Sequence, residues 1–224
     1  MSNLPDRETP QKLATLRALR KKWRDCVSCG LCESRKQIVF ADGEPEARVM
    51  LIGEGPGEQE DAEGVPFVGR SGVLLDELLR RAGATRTEVH IVNAVLCKPP
   101  DNRPPNNEEL AACRPRLLEH VRILDPDVII AMGKTALKTL TGRKNAAITT
   151  ERGKLFDVTI PGLHLPLSYP VMPAYHPTYL LRNPDQSPGG LVYQTVSDLR
   201  DAFVIADVLN HRWRGVPLPN RKPE

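Results

Sequence analysis

The chain has 224 residues, 40% of them hydrophobic and 26% charged, with a formal net charge of +3. That is enough apolar material for one medium core, and mild basicity of this size suits a small substrate and a nucleic acid equally well. No run of 18 apolar residues is present, and Met1 to Arg24 lacks the apolar stretch of a secretory signal, which excludes a membrane span and points to a cytoplasmic protein.

Residues from about Thr9 to Arg24 are helix-like, with Leu13, Leu16 and Leu19 on one side. A cysteine-rich stretch follows. Arg48–Glu54 (RVMLIGE) is a short apolar run that ends in a glycine turn and reads as a buried strand. Ser71 to Ala82 reads as a helix with Ser71 as its cap and Gly83 as its stop. Val89–Val95 is a second strand, and Asn107 to Leu124 a third helical stretch. Asp127–Met132 is a third strand, after which Gly133 opens a helix. A less regular, β-rich stretch leads to a fourth strand at Pro170–Tyr175, and Leu191 to Leu209 is the last helix. Strands alternating with helices predict an α/β fold, a parallel sheet covered on both faces. A single domain over residues 1–211 takes in the first helix and the cysteines, and a proline-containing tail over 212–224 reads as loosely ordered.

In such sheets the site lies beyond the carboxyl ends of the strands. Three motif-bearing turns fall there: Gly53–Gly57, Asn93–Pro100 and Tyr175–Arg182. In the first, Gly53-Glu54-Gly55-Pro56-Gly57 lets backbone approach a ligand and present N–H groups to anionic oxygens, or is simply a tight turn with a solvated glutamate. It lacks the Gly-Lys-Ser/Thr of a phosphate-binding P-loop and the spacing of a dinucleotide fingerprint. Phe67, just beyond, either stacks on a planar base or anchors the loop. Asn93 lies inside an apolar strand, where a buried amide must find partners; it either ties a loop or reads a base edge with its donor and acceptor. His176 is placed to donate to a developing anion or to act as acid or base. Leu180, Leu181 and Arg182 form an apolar and basic tip that suits a wedge into duplex DNA, or an ordinary helical turn packed on the body. His90, His120, His164 and His211 sit in no such constellation.

Five cysteines in a cytosolic chain read as metal ligands or packing residues rather than disulfides. Cys26, Cys29 and Cys32 are spaced by two residues, Cys97 follows the second strand, and Cys113 lies on the next helix. Four thiolates suit zinc or a [4Fe–4S] cluster, and spacing alone neither separates these nor ranks Cys29 against Cys32.

Three stretches together resemble the motifs of the family-4 uracil-DNA glycosylases. They are Gly53 to Asp61 with Gly64-x-Pro66-Phe67-Val68-Gly69, Asn93-x3-Cys97-x-Pro99-Pro100-x-Asn102-Arg103, and His176-Pro177-x-Tyr179-Leu180-Leu181-Arg182-Asn183-Pro184. The likeness runs in order from about Cys26 to about Leu209. It implies a three-layer α/β/α fold with a central four-stranded parallel sheet. It also implies a [4Fe–4S] cluster held by Cys26, Cys29, Cys97 and Cys113, with Cys32 spare, serving structure rather than redox chemistry. The implied activity is hydrolytic removal of uracil from DNA in base-excision repair, leaving an abasic site.

By the same resemblance the nucleotide flips out of the helix, Phe67 stacks on the base and Asn93 reads its edge. His176 hydrogen-bonds the O2 side, Gly55 and Gly57 contribute backbone N–H groups, and Glu54 positions water or favours the cationic sugar. Leu180, Leu181 and Arg182 meet DNA. No lysine is evidently placed for a lyase step. The expected partner is single- or double-stranded DNA, and the expected state a monomer. Two departures bear on base preference: Tyr175 stands where phenylalanine is common, and Val192 to Asp198 lacks the basic residue and tryptophan of many relatives. An arginine-rich insertion after Cys97 is absent, so no covalent product is expected. The competing expectations are the same chemistry on another deaminated or phage-modified pyrimidine, and a non-catalytic cluster-bearing DNA-binding module.

Overall fold

The apolar runs form the middle of one sheet. A computed structural model describes residues 9–143, 145–160 and 166–209. The tail over 212–224, the end of the expected domain at 211, His164 and His211 lie outside these residues. The N-terminal helix α1 (Thr9–Trp23) leads through the cysteine stretch to β1 (Asp42–Gly43) and β2 (Val49–Gly53). Helices α2 (Glu58–Glu63) and α3 (Arg70–Ala82) precede β3 (Val89–Asn93), and α4 (Asn107–Leu124) precedes β4 (Val128–Met132). Then come α5 (Lys134–Thr141), α6 (Ile148–Glu151), β5 (Phe156–Ile160), β6 (Leu167–Ala174), α7 (Pro177–Arg182) and α8 (Leu191–Leu209).

The strand order is β1-β3-β2-β4-β6-β5. The four strands β3, β2, β4 and β6 run parallel, as expected. They are flanked by β1 and β5, both antiparallel to their neighbours, so the parallel core sits inside a wider mixed sheet. Every residue of β2, β3 and β4 is buried, which is why these strands read as continuous apolar runs rather than alternating ones. β5 alternates instead, with Val158 and Ile160 buried, as an edge strand covered on one face does.

The period of two divides the sheet between two cores. Val49, Leu51, Ile91 and Ile130 face α3 and α8 with Leu75, Leu78, Leu79 and Leu199. Met50, Ile52, Ile129 and Ala131 face α4 and α5 with Leu117, Val121, Leu137 and Leu140. A third cluster joins Leu19 of α1 to Leu31, Phe40, Leu96, Cys97 and Cys113. Helix ends follow their local chemistry. Asn106 caps α4 by accepting from the Glu109 N–H at 2.9 Å, and Glu109 returns the bond to the Asn106 N–H at 2.8 Å. Gly83 closes α3 with φ 91°, a left-handed turn that favours glycine. The cap of α3 is Gly69 rather than Ser71, which lies one residue inside the helix.

Strand β2 sits between β3 and β4, so the chain crosses back over it on the way to β4. That reversal opens a crevice at the carboxyl ends of the strands, where ligands bind in folds of this type.

Candidate active site

A cavity of about 770 Å³ occupies the crevice. Four strand ends supply its walls: Glu54 after β2, Asn93 at the end of β3, Gly133 after β4, and His176 after β6. Phe67, Gly55 and Gly57 also line it. Gly53 permits this closeness. A Cβ there would lie 2.4 Å from Asn93 Oδ1 and 2.6 Å from Phe67 Cζ, so any larger residue would drive the two apart.

Asn93 is 2% exposed, and its Oδ1 has no hydrogen-bond partner among the described residues. A buried acceptor left unmet costs about 1–3 kcal/mol, which a ligand donor would recover. His176 caps α7, and its Nδ1 accepts from the Thr178 N–H at 3.2 Å. The remaining ring nitrogen, Nε2, therefore carries the proton in the neutral ring. Burial, aided by the nearby Arg182 charge, pulls His176 down to about 4. The ring is then a neutral donor at physiological pH. It lies 5.6 Å, centroid to centroid, from the Phe67 ring.

Phe67 adopts φ 54°, a left-handed conformation costly for an aromatic residue. Two ionic side chains hold it there. Glu60, 6% exposed, accepts from the Val68 and Gly69 N–H groups at 3.0 and 2.8 Å and from the Gly57 N–H at 3.0 Å. Arg86 donates to the Pro66 and Phe67 carbonyls at 2.6 and 3.0 Å, and is itself paired with Asp42 and Asp76. Because its N–H is engaged by Glu60, Gly57 is a wall of the cavity and not a donor into it, contrary to expectation. Glu54 is oriented by Thr135 at the start of α5, whose hydroxyl donates to Glu54 Oε2. None of Glu60, Arg86 and Thr135 stands out in the sequence as a site residue. The one available signal was that Glu60 falls inside the first motif.

The tip of α7 divides. Leu180 is 1% exposed and packs into the core beneath the sheet, so it is not a surface wedge. Leu181 is 39% exposed, and Arg182 is exposed and lines the cavity. Arg103, paired with Glu109 at 2.6 Å, and the exposed Lys134 also line the cavity. The cavity thus has a basic rim, to which Arg103 and Lys134 contribute as well as Arg182.

The cysteines lie behind β3. Cys97 and Cys113 are buried, and Cys26, Cys29 and Cys32 partly so. Cys29 interacts electrostatically with Cys113 and Cys26, and Cys97 with Cys113 and Cys29. Burial pushes the Cys97 thiol up to about 11, against the pull of Arg35, whose Nη1 lies 3.2 Å from Cys97 Sγ and donates to the Cys26 carbonyl at 2.7 Å. Arg116, wholly buried, interacts with Cys113, Cys97 and Cys26, and two of its nitrogens have no hydrogen-bond partner among the described residues. Buried thiols beside two arginines suit an anionic metal–thiolate group, which would offset the uncompensated guanidinium charge. Among the described residues, no three Cys, His, Asp or Glu side chains are grouped closely enough to hold a single metal ion.

Strand-end residues around one crevice bring an aromatic ring, an amide and a neutral histidine to a single cavity, the arrangement of an α/β enzyme site. Residues 40–200 match the model of the uracil DNA glycosylase superfamily. A type-4 uracil-DNA glycosylase of Thermotoga maritima is 46% identical over 160 residues, which are 71% of this chain and 80% of that protein. Proteins of the same description from Pyrobaculum aerophilum and Saccharolobus solfataricus are 41% and 39% identical, over 75% and 72% of this chain and 86% and 74% of theirs. The chain belongs to the uracil DNA glycosylase superfamily and, within it, to the type-4 uracil-DNA glycosylases.

Proposed function

We infer that this protein excises uracil from DNA by hydrolysis and leaves an abasic site. The observation that carries this reading is the unmet Asn93 Oδ1 beside a cavity that also holds Phe67 and the neutral His176. A uracil presents N3–H and O4 side by side, and the Asn93 amide offers an acceptor and a donor to that edge. The Phe67 ring supplies the stacking face once the nucleotide has left the helix.

Breaking the base–sugar bond leaves negative charge on the base and positive charge on the deoxyribose. His176, donating from Nε2, meets charge growing on O2, and as a neutral group it does so without giving up its proton. Glu54, fixed by Thr135, either orients the attacking water or favours the cationic sugar. Gly55 and Gly57 close the pocket around the base. Leu181 and Arg182 stand at the exposed tip beside the cavity, where they meet the opened DNA, and Arg103 and Lys134 add cationic contacts to phosphate. The domain over residues 1–211 acts as one unit, and as a monomer. No helix among the described residues is long and apolar enough to cross a membrane, in keeping with cytoplasmic action on DNA.

Cys26, Cys29, Cys97 and Cys113 are the set that would hold a [4Fe–4S] cluster through their thiolates. The chemistry supplied there is structural ligation, and no step of base removal passes through it. Base release from labelled single- and double-stranded oligonucleotides with one uracil, read by alkaline cleavage of the abasic site, tests the function. His176→Ala and Asn93→Ala should each lower the rate by roughly 100-fold or more. Wild-type protein that releases another pyrimidine and leaves uracil in place would overturn the assignment of the base.

A further inference from the structure

Among the described residues, Arg116 is the largest fully buried side chain. It lies on α4 three residues after Cys113, so both project from one side of the helix. Its Nη2 donates to the Asn93 carbonyl at 2.8 Å and the Ala94 carbonyl at 3.2 Å. Its Nε and Nη1 are buried with no hydrogen-bond partner among the described residues. Its neighbours include Cys113, with which it interacts both by hydrogen bonding and electrostatically, Cys97 and Cys26, and on another side His120.

We propose that Arg116 is a positioning residue that couples the iron–sulfur centre to the base-reading end of β3. One side of the guanidinium grips the backbone that carries Asn93. The other side presents donors and charge to thiols that lose their protons and become anionic thiolates when they ligate iron. The grip extends one strand further. The Ala94 N–H donates to the Gly53 carbonyl at 3.0 Å, and the Val95 N–H to the Glu54 carbonyl at 3.3 Å. One buried cation thus sets the backbone of Asn93 directly and that of Glu54 through a second pair of hydrogen bonds. A plain strut for the 93–94 loop would need neither a full charge nor the two donors aimed elsewhere. The inference rests on the reading of the four cysteines as ligands and of Asn93 as the residue that meets the base.

The test uses anaerobically purified holoenzyme. Arg116→Lys keeps a charge near the thiolates and cannot span both carbonyls. Arg116→Met keeps bulk and loses both functions. The expected result is that Arg116→Lys retains its iron and its broad visible absorbance but binds free uracil roughly 10-fold more weakly. Arg116→Met should lose iron faster under chelator and bind uracil as weakly. Variants with wild-type uracil affinity and wild-type iron retention would overturn the proposal. Should both variants fail to fold, amide hydrogen exchange on the wild type decides. On chelator treatment the Ala94 and Val95 amides should lose protection before those of Leu51 and Ile91, and simultaneous loss would overturn the link. Wild-type holoenzyme that neither binds nor releases uracil would sink the functional reading instead, while the exchange measurement still judges Arg116.

Discussion

Glu54 and Thr135 stand 81 positions apart, and the hydroxyl of one donates to the carboxylate of the other. The contact freezes one rotamer of a glutamate that would otherwise swing in the crevice. Thr135→Val keeps the shape and removes the donor. It should lower kcat about 10-fold with KM within about two-fold, because positioning for the reaction is lost and base binding is not. Thr135→Ser should restore most of the rate. An unchanged kcat in the valine variant would release Glu54 from its proposed role. The same scale explains the α7 tip. Leu180 and Leu181 are neighbours of identical chemistry, yet one is core and the other surface. Nothing in a two-leucine run says which way a helix of six residues turns.

The segment between α2 and α3 is where an element, rather than a residue, does the positioning. Strain of about 1–3 kcal/mol at Phe67 persists only because its surroundings over-determine it. Glu60 grips the segment by its N–H groups, and Arg86 grips it by its carbonyls. Arg86→Gln should speed exchange at the Val68 and Gly69 amides and slow uracil release roughly 10-fold, with the amides of β2 unaffected; equal exchange in both proteins would refute the clamp. Elements of this kind were the hardest to read in advance. The long helices α3, α4 and α8 announce themselves because a core imposes a period on the sequence, and the parallel strands because burial on both faces makes them continuous apolar runs. α2 and α6 have six and four residues, too few to show one. β1 has two residues and exists as a strand only through pairing with β3. The motifs marked Glu54, Asn93 and His176, which the fold brings to one cavity, while Thr135, Arg86 and Arg116 were silent. Each takes its meaning from a distant partner, and an isolated arginine or threonine carries no trace of what it will touch.

Over the whole molecule, acid should be the condition that undoes it. His90 and His176 are drawn down to about 4 by burial, and His120 well below its ordinary value for the same reason. The buried pair shows why. His90 Nδ1 donates to the Glu44 carbonyl at 3.1 Å, so its Nε2 accepts from His120 Nε2 at 2.9 Å. The His120 Nδ1 is then an acceptor with no partner among the described residues, and a proton placed there would be a buried, unmet charge beside Arg116. All three folded values lie below the unfolded value of about 6.5, so between roughly pH 6.5 and 4 the unfolded chain binds more protons. The stability is complete above that window and falls as pH drops through it. Melting should shift down by on the order of 10 °C between pH 7 and pH 5, and replacing His120 with a neutral residue of similar bulk should flatten the slope. A melting temperature indifferent to pH across that range would contradict the buried, neutral state of these histidines.

The order of the cavity walls along the chain also bears on how the molecule is made. Synthesis is vectorial, and the ribosome delivers Cys26 and Cys29 first, then Glu54, Phe67, Asn93 and Cys97, then Cys113 and Arg116. β6 begins about fifty residues later, and His176, just beyond its end, about sixty. On the reading of the cysteines given above, every thiol needed for metal capture has therefore left the ribosome before the last wall of the crevice exists. A nascent chain short of its final third would already carry the four thiols proposed to hold the cluster and the Asn93 amide, but not His176.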